Sequence, residues 1–399
     1  MKTAVYKHLA YNLFLFAGIL LTLVSCKTPY IKNRQSEIDS LAAKWVPDQR
    51  IGICKITAKT GKDGKLILRG ETTNPEAKNG IIKALNNQSI KLIDSILILP
   101  DTIRNEKFMG LVSISVINLR KQPDHRSELV SQSILGTPVL ILKNENSWLL
   151  IQTPDQYIAW TEESSVELMN RSEITAWKNA DRVIYLENSG WIYKNQSTDS
   201  DVVGDLVAGS IMVKVGESIG YVNIVLPDGR KGYVNEKEVM EFDIFRNQRK
   251  PGGEKVLRVA SSLLGVPYLW GGSSTKGVDC SGFVQTVYFM NGLILMRDAS
   301  LQALHGDPVD ISKGFSQLRK GDLLFFGSKE KLKSRVTHVA IYKGDNEYIN
   351  SSGRVLINSL DSASISFSRH RLHSLLTAKR IIDVQNDPGI VPISKHLWY

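Results

Sequence analysis

The stretch that most constrains this chain is Gly265 to Gly292, GVPYLWGGSSTKGVDCSGFVQTVYFMNG. It reads as an aromatic strand or loop, a glycine turn, then Asp279-Cys280-Ser281-Gly282 opening an amphipathic helix. The first turn of a helix has free backbone N–H groups and a partial positive charge. Both favour a thiolate over a thiol. Taken alone, the stretch fits a buried cysteine at the start of a core helix equally well, so the rest of the chain must decide.

At 399 residues the chain is long enough for roughly two to four domains. Its net charge of +10 suits an anionic partner. The Lys and Arg residues are scattered, however, and no helix carries a basic stripe, so a solvated basic surface is the simpler account and nucleic acid is not expected as a partner. At the N-terminus, Lys2 and Lys7 precede an apolar run from Leu13 to Val24 that is too short for an ordinary spanning helix. The run ends in Leu23-Val24-Ser25-Cys26, which resembles the lipobox of bacterial lipoproteins. That resemblance implies cleavage before Cys26, lipidation of Cys26, export, and anchoring to a bacterial membrane at its periplasmic or outer surface. A plain signal peptide or a short anchor is the alternative.

Of the three cysteines, Cys26 is the expected lipid site and Cys54, in Ile51-Gly52-Ile53-Cys54-Lys55-Ile56, reads as a core strand residue. Cys280 is then a lone thiol in an exported chain without a disulfide framework, which favours a reactive thiol. The seven histidines form no His-x-x-x-His, there is no Cys-x-x-Cys, and no metal or other cofactor is expected.

Taken in order, residues 35 to 105 predict a small α/β unit. A helix over Ser36 to Trp45 is followed by strands over Ile51 to Thr60 and Lys65 to Thr73 joined at Gly61-Lys62-Asp63-Gly64. A helix over Pro75 to Asn86 and a strand over Leu92 to Leu99 complete it. From about 109 the texture becomes short strands and polar turns. Ile151-Gln152-Thr153-Pro154-Asp155-Gln156-Tyr157-Ile158-Ala159-Trp160 parallels Val225-Leu226-Pro227-Asp228-Gly229-Arg230-Lys231-Gly232-Tyr233-Val234, so residues 108 to 245 read as two diverged copies of one small β-barrel. A single larger β-domain is the alternative. Residues 241 to 252 read as a linker, and Glu254 to Leu264 as an amphipathic helix. After the cysteine come strand-like runs at Gly321 to Gly327, Thr337 to Tyr342 and Glu347 to Asn350. Helix first, then antiparallel strands, is an α+β order.

A cysteine nucleophile needs a base to hold its proton and an orienter to hold the base. His338 opens one of those strands, and Asn350 lies across the following hairpin. A carboxamide oxygen there would accept the imidazole Nδ1–H and leave Nε2 for the thiol. Each residue alone has a bland reading, His338 as a core or surface histidine and Asn350 as a polar residue before a turn.

Five motifs then occur in order: Pro267-Tyr268-Leu269-Trp270-Gly271-Gly272, Asp279-Cys280-Ser281-Gly282-Phe283-Val284, Arg297-Asp298-Ala299-Ser300-Leu301-Gln302, Gly321-Asp322-Leu323-Leu324-Phe325-Phe326 and His338-Val339-Ala340-Ile341-Tyr342. Together they resemble the NlpC-type bacterial cell-wall cysteine peptidases, a papain-like thiol protease family, over about 250 to 383. The β-barrels resemble the bacterial SH3-like domains that accompany such enzymes. The resemblance implies Cys280 as nucleophile, His338 as base and Asn350 as orienter, where many members carry a second histidine. It implies Tyr268 as an oxyanion donor beside the Cys280 backbone N–H. The implied substrate is the peptidoglycan stem peptide or a muropeptide, cut between D-glutamate and a diamino acid in cell-wall turnover. Members with SH3-like domains that require a free N-terminal L-alanine bind its ammonium through residues matching Asp279, Ser281 and Ser300, with a Glu and a Tyr from the first barrel. Glu128 and Tyr157 are the expected counterparts.

The expected architecture is multi-domain: a signal segment (1–26), a small α/β unit (27–107), two SH3-like barrels (108–168 and 169–245), an α+β papain-like catalytic domain (246–385) and a C-terminal tail (386–399). The expected hydrolase is a monomer. A non-catalytic wall-binding protein, or an amidase or acyltransferase on the same scaffold, are the alternatives.

Overall fold

The computed structural model describes residues 28–61, 65–86, 91–102, 106–329 and 334–399, with side chains from residue 34 onward. Cys26 and most of the turn at 61–64 lie outside the described residues. The chain divides into two compact units, Met1–Asp101 and Thr102–Tyr399.

In the first unit the helix Thr28–Trp45 precedes strands Cys54–Thr60 and Leu66–Thr72, which pair antiparallel. The helix Pro75–Asn86 then crosses to Leu92–Ile98, which lies parallel to Leu66–Thr72. Leu68, Ala77, Ile81 and Leu85 are fully buried, the last three at the i, i+4, i+8 spacing of one helix face. Cys54 is buried here as a core residue, and burial pushes its thiol up.

The second unit begins with two seven-stranded sheets. The first, over Met109–Val112, Val116–Arg120, Leu129–Ile134, Pro138–Glu145, Trp148–Gln152, Ile158–Glu162 and Val166–Met169, has its strands in the order seventh, first, fourth, fifth, sixth, second, third. The other, from Arg182–Tyr185 to Val239–Glu241, runs in the same order. The repeated Pro-Asp turns therefore occupy one topological place, between the fifth and sixth strands of each sheet. The strand Leu129–Ile134 carries polar residues on both faces and Ser189–Tyr193 holds a glycine and one buried apolar residue on its inner face, which hides both from a reading based on alternation. Between the sheets the helix Arg171–Asn179, also unexpected from the sequence, opens on a capping box in which Asn170 and Glu173 satisfy each other's backbone N–H groups.

Residues 241 to 252 are not a simple linker. Phe242–Gln248 is a helix whose Phe242 and Phe245, three apart on one face, are fully buried with Ile174, Trp177 and Tyr399. The basic and glycine residues that follow mask this in the sequence. The expected tail is likewise packed: Ile390–Pro392 pairs with Leu293–Leu295, and Tyr399 is buried.

The C-terminal α+β part follows as helix Gly253–Ser262, helix Cys280–Phe289 and an antiparallel six-stranded sheet in the order Asp307–Val309, Leu375–Arg380, Leu323–Lys329, Ser334–Gly344, Glu347–Ser352, Arg354–Ser359. Val339, Ile341 and Ile349 face the helices with Phe283, Val284 and Val287, while Phe326, Ala340 and Tyr348 belong to a second apolar layer. Each fully buried side chain of this kind contributes about 1.5–3 kcal/mol.

Candidate active site

Cys280 is the first residue of its helix, and Asp279 is the N-cap, accepting from the Gly282 N–H at 2.7 Å. Gly282 is required by close packing: a Cβ there would lie 2.0 Å from the Gly272 carbonyl oxygen. The glycine turn thus presses against the helix start. The backbone N–H groups of Ser281 and Val339 both lie close enough to the Cys280 sulfur to favour its thiolate. Val339 directly follows His338, so the histidine's strand touches the nucleophile.

A β-bulge sets His338 itself. Phe326 pairs with His338 and Gly327 with Val336, which leaves Thr337 as the extra residue just before it. His338 is buried, and its Nε2 lies 2.9 Å from Asn350 Oδ1. The Asn350 amide is fixed in turn, because its Nδ2 donates to Asn358 Oδ1 at 2.9 Å and Asn358 Nδ2 donates to the Ser366 carbonyl. The imidazole is therefore held the opposite way from the sequence expectation: Nε2–H donates to Asn350 and Nδ1 is left for the thiol. Residue spacing says which side chains share a face, but not which edge of a ring meets which neighbour. Asn358 is not foreseen by the sequence reading; it is one of several polar residues on this hairpin, and spacing does not single it out.

Electrostatics also differ from the expectation of a ready thiolate. Burial, and after it the Asp279 carboxylate, pushes the Cys280 thiol up to about 11 despite the two N–H donors. Burial and the nearby Arg371 charge push His338 down to about 3. The helix-terminal field is present, but desolvation outweighs it at a residue only 8% exposed. The resting pair is a neutral thiol beside a neutral imidazole. Tyr268 is half-buried, and burial followed by the fields of Cys280 and Asp279 pushes its phenol up to about 12. It keeps its proton and is able to donate it as a hydrogen bond.

Asp279 and Ser281, expected to meet a substrate ammonium, sit in a buried polar network around Arg297. Arg297 donates through Nη2 to Asp279 Oδ2 at 2.6 Å, and through Nη1 to Asp279 Oδ1 at 3.1 Å and Ser281 Oγ at 3.0 Å. Asp279 also accepts from the Gly271 N–H and the Ser281 hydroxyl. Burial opposes the charge on Arg297, and Asp279 more than offsets it. The signal is in the sequence: a lone arginine after the apolar run Leu293-Ile294-Leu295-Met296 needs a buried partner.

The first β-module joins the same network. Arg297 Nε donates to Ser131 Oγ at 3.0 Å, Gln132 exchanges hydrogen bonds with Ser273 and Ser274, and Trp270 Nε1 donates to Glu128 Oε1 at 3.1 Å. Gly271, at φ +75°, lies so close to the Leu129 carbonyl that a Cβ would sit 2.5 Å away. Glu128 thus stands at the edge of the aromatic stretch that leads to Tyr268. Tyr157 is buried, and its field reaches Arg297. Ser300 is half-buried on the helix Ala299–Gln302, which packs against the strand of His338. Among the described residues no cluster of three His, Cys, Asp or Glu side chains has metal-binding geometry.

A profile of the NlpC/P60 family matches residues 265–373, and one of the bacterial dipeptidyl-peptidase Sh3 domain matches residues 119–166. The chain is 30% identical over 269 residues to dipeptidyl-peptidase 6 of Lysinibacillus sphaericus, which covers 63% of this chain and 92% of that protein. It is 27% identical over 233 residues to γ-D-glutamyl-L-lysine dipeptidyl-peptidase of Bacillus cereus (strain ATCC 10987 / NRS 248), covering 56% and 68% respectively. The crystal structure of an NlpC/P60 family protein from Bacillus cereus ATCC 10987 superposes with a TM-score of 0.58 at 23% identity, over 68% of this chain and 99% of that one. That last likeness is one of fold.

Proposed function

The chain belongs to the NlpC/P60 family of cell-wall cysteine peptidases, and from that premise we propose that it hydrolyses the γ-D-glutamyl–diamino acid bond of peptidoglycan stem peptides carrying a free N-terminal L-alanine. The observation that carries the reading is the buried Cys280 at the start of its helix, packed in one core with Val339 beside His338, whose ring is oriented by Asn350.

The chemistry is acyl transfer. As the Cys280 sulfur attacks the γ-carbonyl carbon, its proton passes to His338 Nδ1. The carbonyl oxygen becomes an oxyanion facing the Cys280 N–H and the Tyr268 hydroxyl, a pair of donors aimed where charge develops. Collapse breaks the C–N bond, and His338 returns the proton to the departing amine. Water then attacks the thioester, gives its proton to His338, and releases L-Ala-γ-D-Glu while the thiol is restored. Because the resting pair is neutral, proton transfer accompanies attack.

Glu128 supports the preference for a free amine. Its exposed carboxylate accepts from Trp270 Nε1 at one oxygen and meets Lys121 Nζ at the other; a substrate ammonium would take the place of Lys121, with Tyr157 as a buried aromatic of the same module. Asp279 and Ser281 then act mainly by holding the helix start, and Ser300 lines the acyl side. The same reading extends to export, to lipidation at Cys26, and to turnover of wall fragments by a membrane-tethered monomer.

The test is hydrolysis of L-Ala-γ-D-Glu-L-Lys and of its N-acetyl form by the full chain and by Cys280→Ala and Glu128→Gln. Cleavage of the free peptide that vanishes in Cys280→Ala is expected. N-acetylation and Glu128→Gln should each cut kcat/KM by about 10-fold or more. Cleavage surviving in Cys280→Ala sinks the mechanism, and equal turnover of the free and capped peptides sinks the amine requirement.

A further inference from the structure

The short helix Arg369–Ser374 carries Arg369, His370, Arg371 and His373 and no acidic residue. Arg371 is the member that reaches the catalytic centre. Its guanidinium carbon lies 5.6 Å from the centre of the Phe326 ring. That ring packs on the His338 imidazole at 5.8 Å and on Tyr348 at 5.6 Å. The Arg371 charge acts on His338, and the fields of Tyr348, Cys280 and Tyr268 act on Arg371 in return.

Among the described residues this guanidinium meets no carboxylate. Arg371 donates its backbone N–H to Ser368 Oγ, accepts from Ser374 Oγ at its carbonyl, and stacks on Phe326. The contrast with its neighbours is direct: Arg297 is paired with Asp279 and Arg380 with Asp322. A half-buried cation with no anion is unfavourable, and burial accordingly depresses its pKa. It also works against the base, since its field helps to keep a proton off His338. A group with those two costs, close to His338 and without a carboxylate among the described residues, is suited to meet an anion brought from outside the chain.

We propose that Arg371 binds a carboxylate of the substrate beside the scissile bond. The proposal rests on the peptidase reading above. A stem peptide joined through the γ-carboxyl of D-glutamate keeps a free α-carboxylate on the acyl side, and the diamino acid brings its own on the leaving side. A guanidinium offers a planar fork that matches a carboxylate with two parallel hydrogen bonds. Occupancy would also neutralise the field that depresses His338, so binding of the correct substrate raises the basicity of the residue that must accept the thiol proton. Arg371 is thus a specificity residue whose charge is balanced only when substrate is present.

The experiment compares three peptides on the full chain: L-Ala-γ-D-Glu-L-Lys, its analogue with the glutamyl α-carboxyl converted to carboxamide, and its analogue with the lysyl carboxyl converted to carboxamide. Wild type should turn over one of the two amides about 10- to 100-fold less well than the parent, and the identity of that amide locates the carboxylate. Arg371→Gln should lower kcat/KM for the parent by a similar factor, mostly through KM, and leave the discriminated amide within about threefold of wild type. Arg371→Lys should keep part of the preference. Equal wild-type turnover of all three peptides overturns the proposal, and that comparison needs no variant to fold. An equal proportional loss on all three in Arg371→Gln also overturns it, because that is the signature of lost packing on Phe326. If wild type cleaves none of the three, the substrate reading itself fails and this inference falls with it.

Discussion

Arg297 and Asp279 form an ion pair that is almost closed to solvent: Nη2 lies 2.6 Å from Oδ2, with Arg297 1% exposed. Asp279 caps the nucleophile's helix, while Arg297 also holds Ser131 of the first β-module. One guanidinium therefore ties together the helix start, the loop at Gly271 and the neighbouring module.

Removing one partner of such a pair strands the other in a dry site. Arg297→Met should destabilise the full chain by about 3–5 kcal/mol, read as a lowered urea midpoint. Adding Asp279→Asn removes the stranded charge, so the double variant should recover part of that loss. A shift below about 1 kcal/mol for Arg297→Met would falsify the structural role given to the pair.

Asn350 acts on the reaction only through His338. Asn350→Ala frees the ring to turn and should lower kcat on the free-amine peptide by about 10²-fold, with KM nearly unchanged. Asn350→His should restore part of it, since an imidazole there can also accept from Nε2–H. Asn358→Leu should give a smaller loss, because it releases the amide that holds the ring rather than the ring itself. An unchanged kcat in Asn350→Ala would remove the residue from the mechanism.

The protonation state of the resting pair has a clear pH signature. With the Cys280 thiol at about 11, alkylation by iodoacetamide should climb steadily with pH across the neutral range. A rate that is already flat between about pH 5 and 8 would indicate a preformed thiolate–imidazolium pair and contradict the structure. Stability carries a matching signal. Below the ordinary histidine value of 6.5 the unfolded chain protonates His338 while the folded chain, with this pKa at about 3, does not. The His338 contribution is therefore present above 6.5 and lost as pH falls toward 3. For Cys280 the sign reverses: its contribution is present below the ordinary thiol value of 9.0 and lost as pH rises toward about 11. Urea midpoints of wild type and His338→Gln across pH should converge in acid and diverge at neutral pH.

The local chemistry is legible in the amino-acid sequence. The helix start at Cys280 announces itself through Asp279 and the glycine turn, because capping and close packing act within a few residues. His338 and Asn350 are joined by a hairpin, which spacing alone suggests, and the paired Pro-Asp turns expose the repeated β-module. The helix Phe242–Gln248 is not legible in this way, because its stabilisation comes from Ile174, Trp177 and Tyr399, far away in the chain.

Alone, then, the sequence determined which side chains are the candidates for the proposed chemistry, Cys280, His338 and Asn350, from their residue types and the order of the motifs that hold them. Tertiary structure decided how they are poised. Desolvation depends on everything packed around a group, and so the thiol at a helix N-terminus, where the local field favours a thiolate, is held neutral. Ring orientation depends on which hydrogen-bond partner lies in reach, and so Nε2 rather than Nδ1 meets Asn350. The partners of Asp279, Glu128 and Arg371 depend on long-range contacts, which no spacing in the chain encodes.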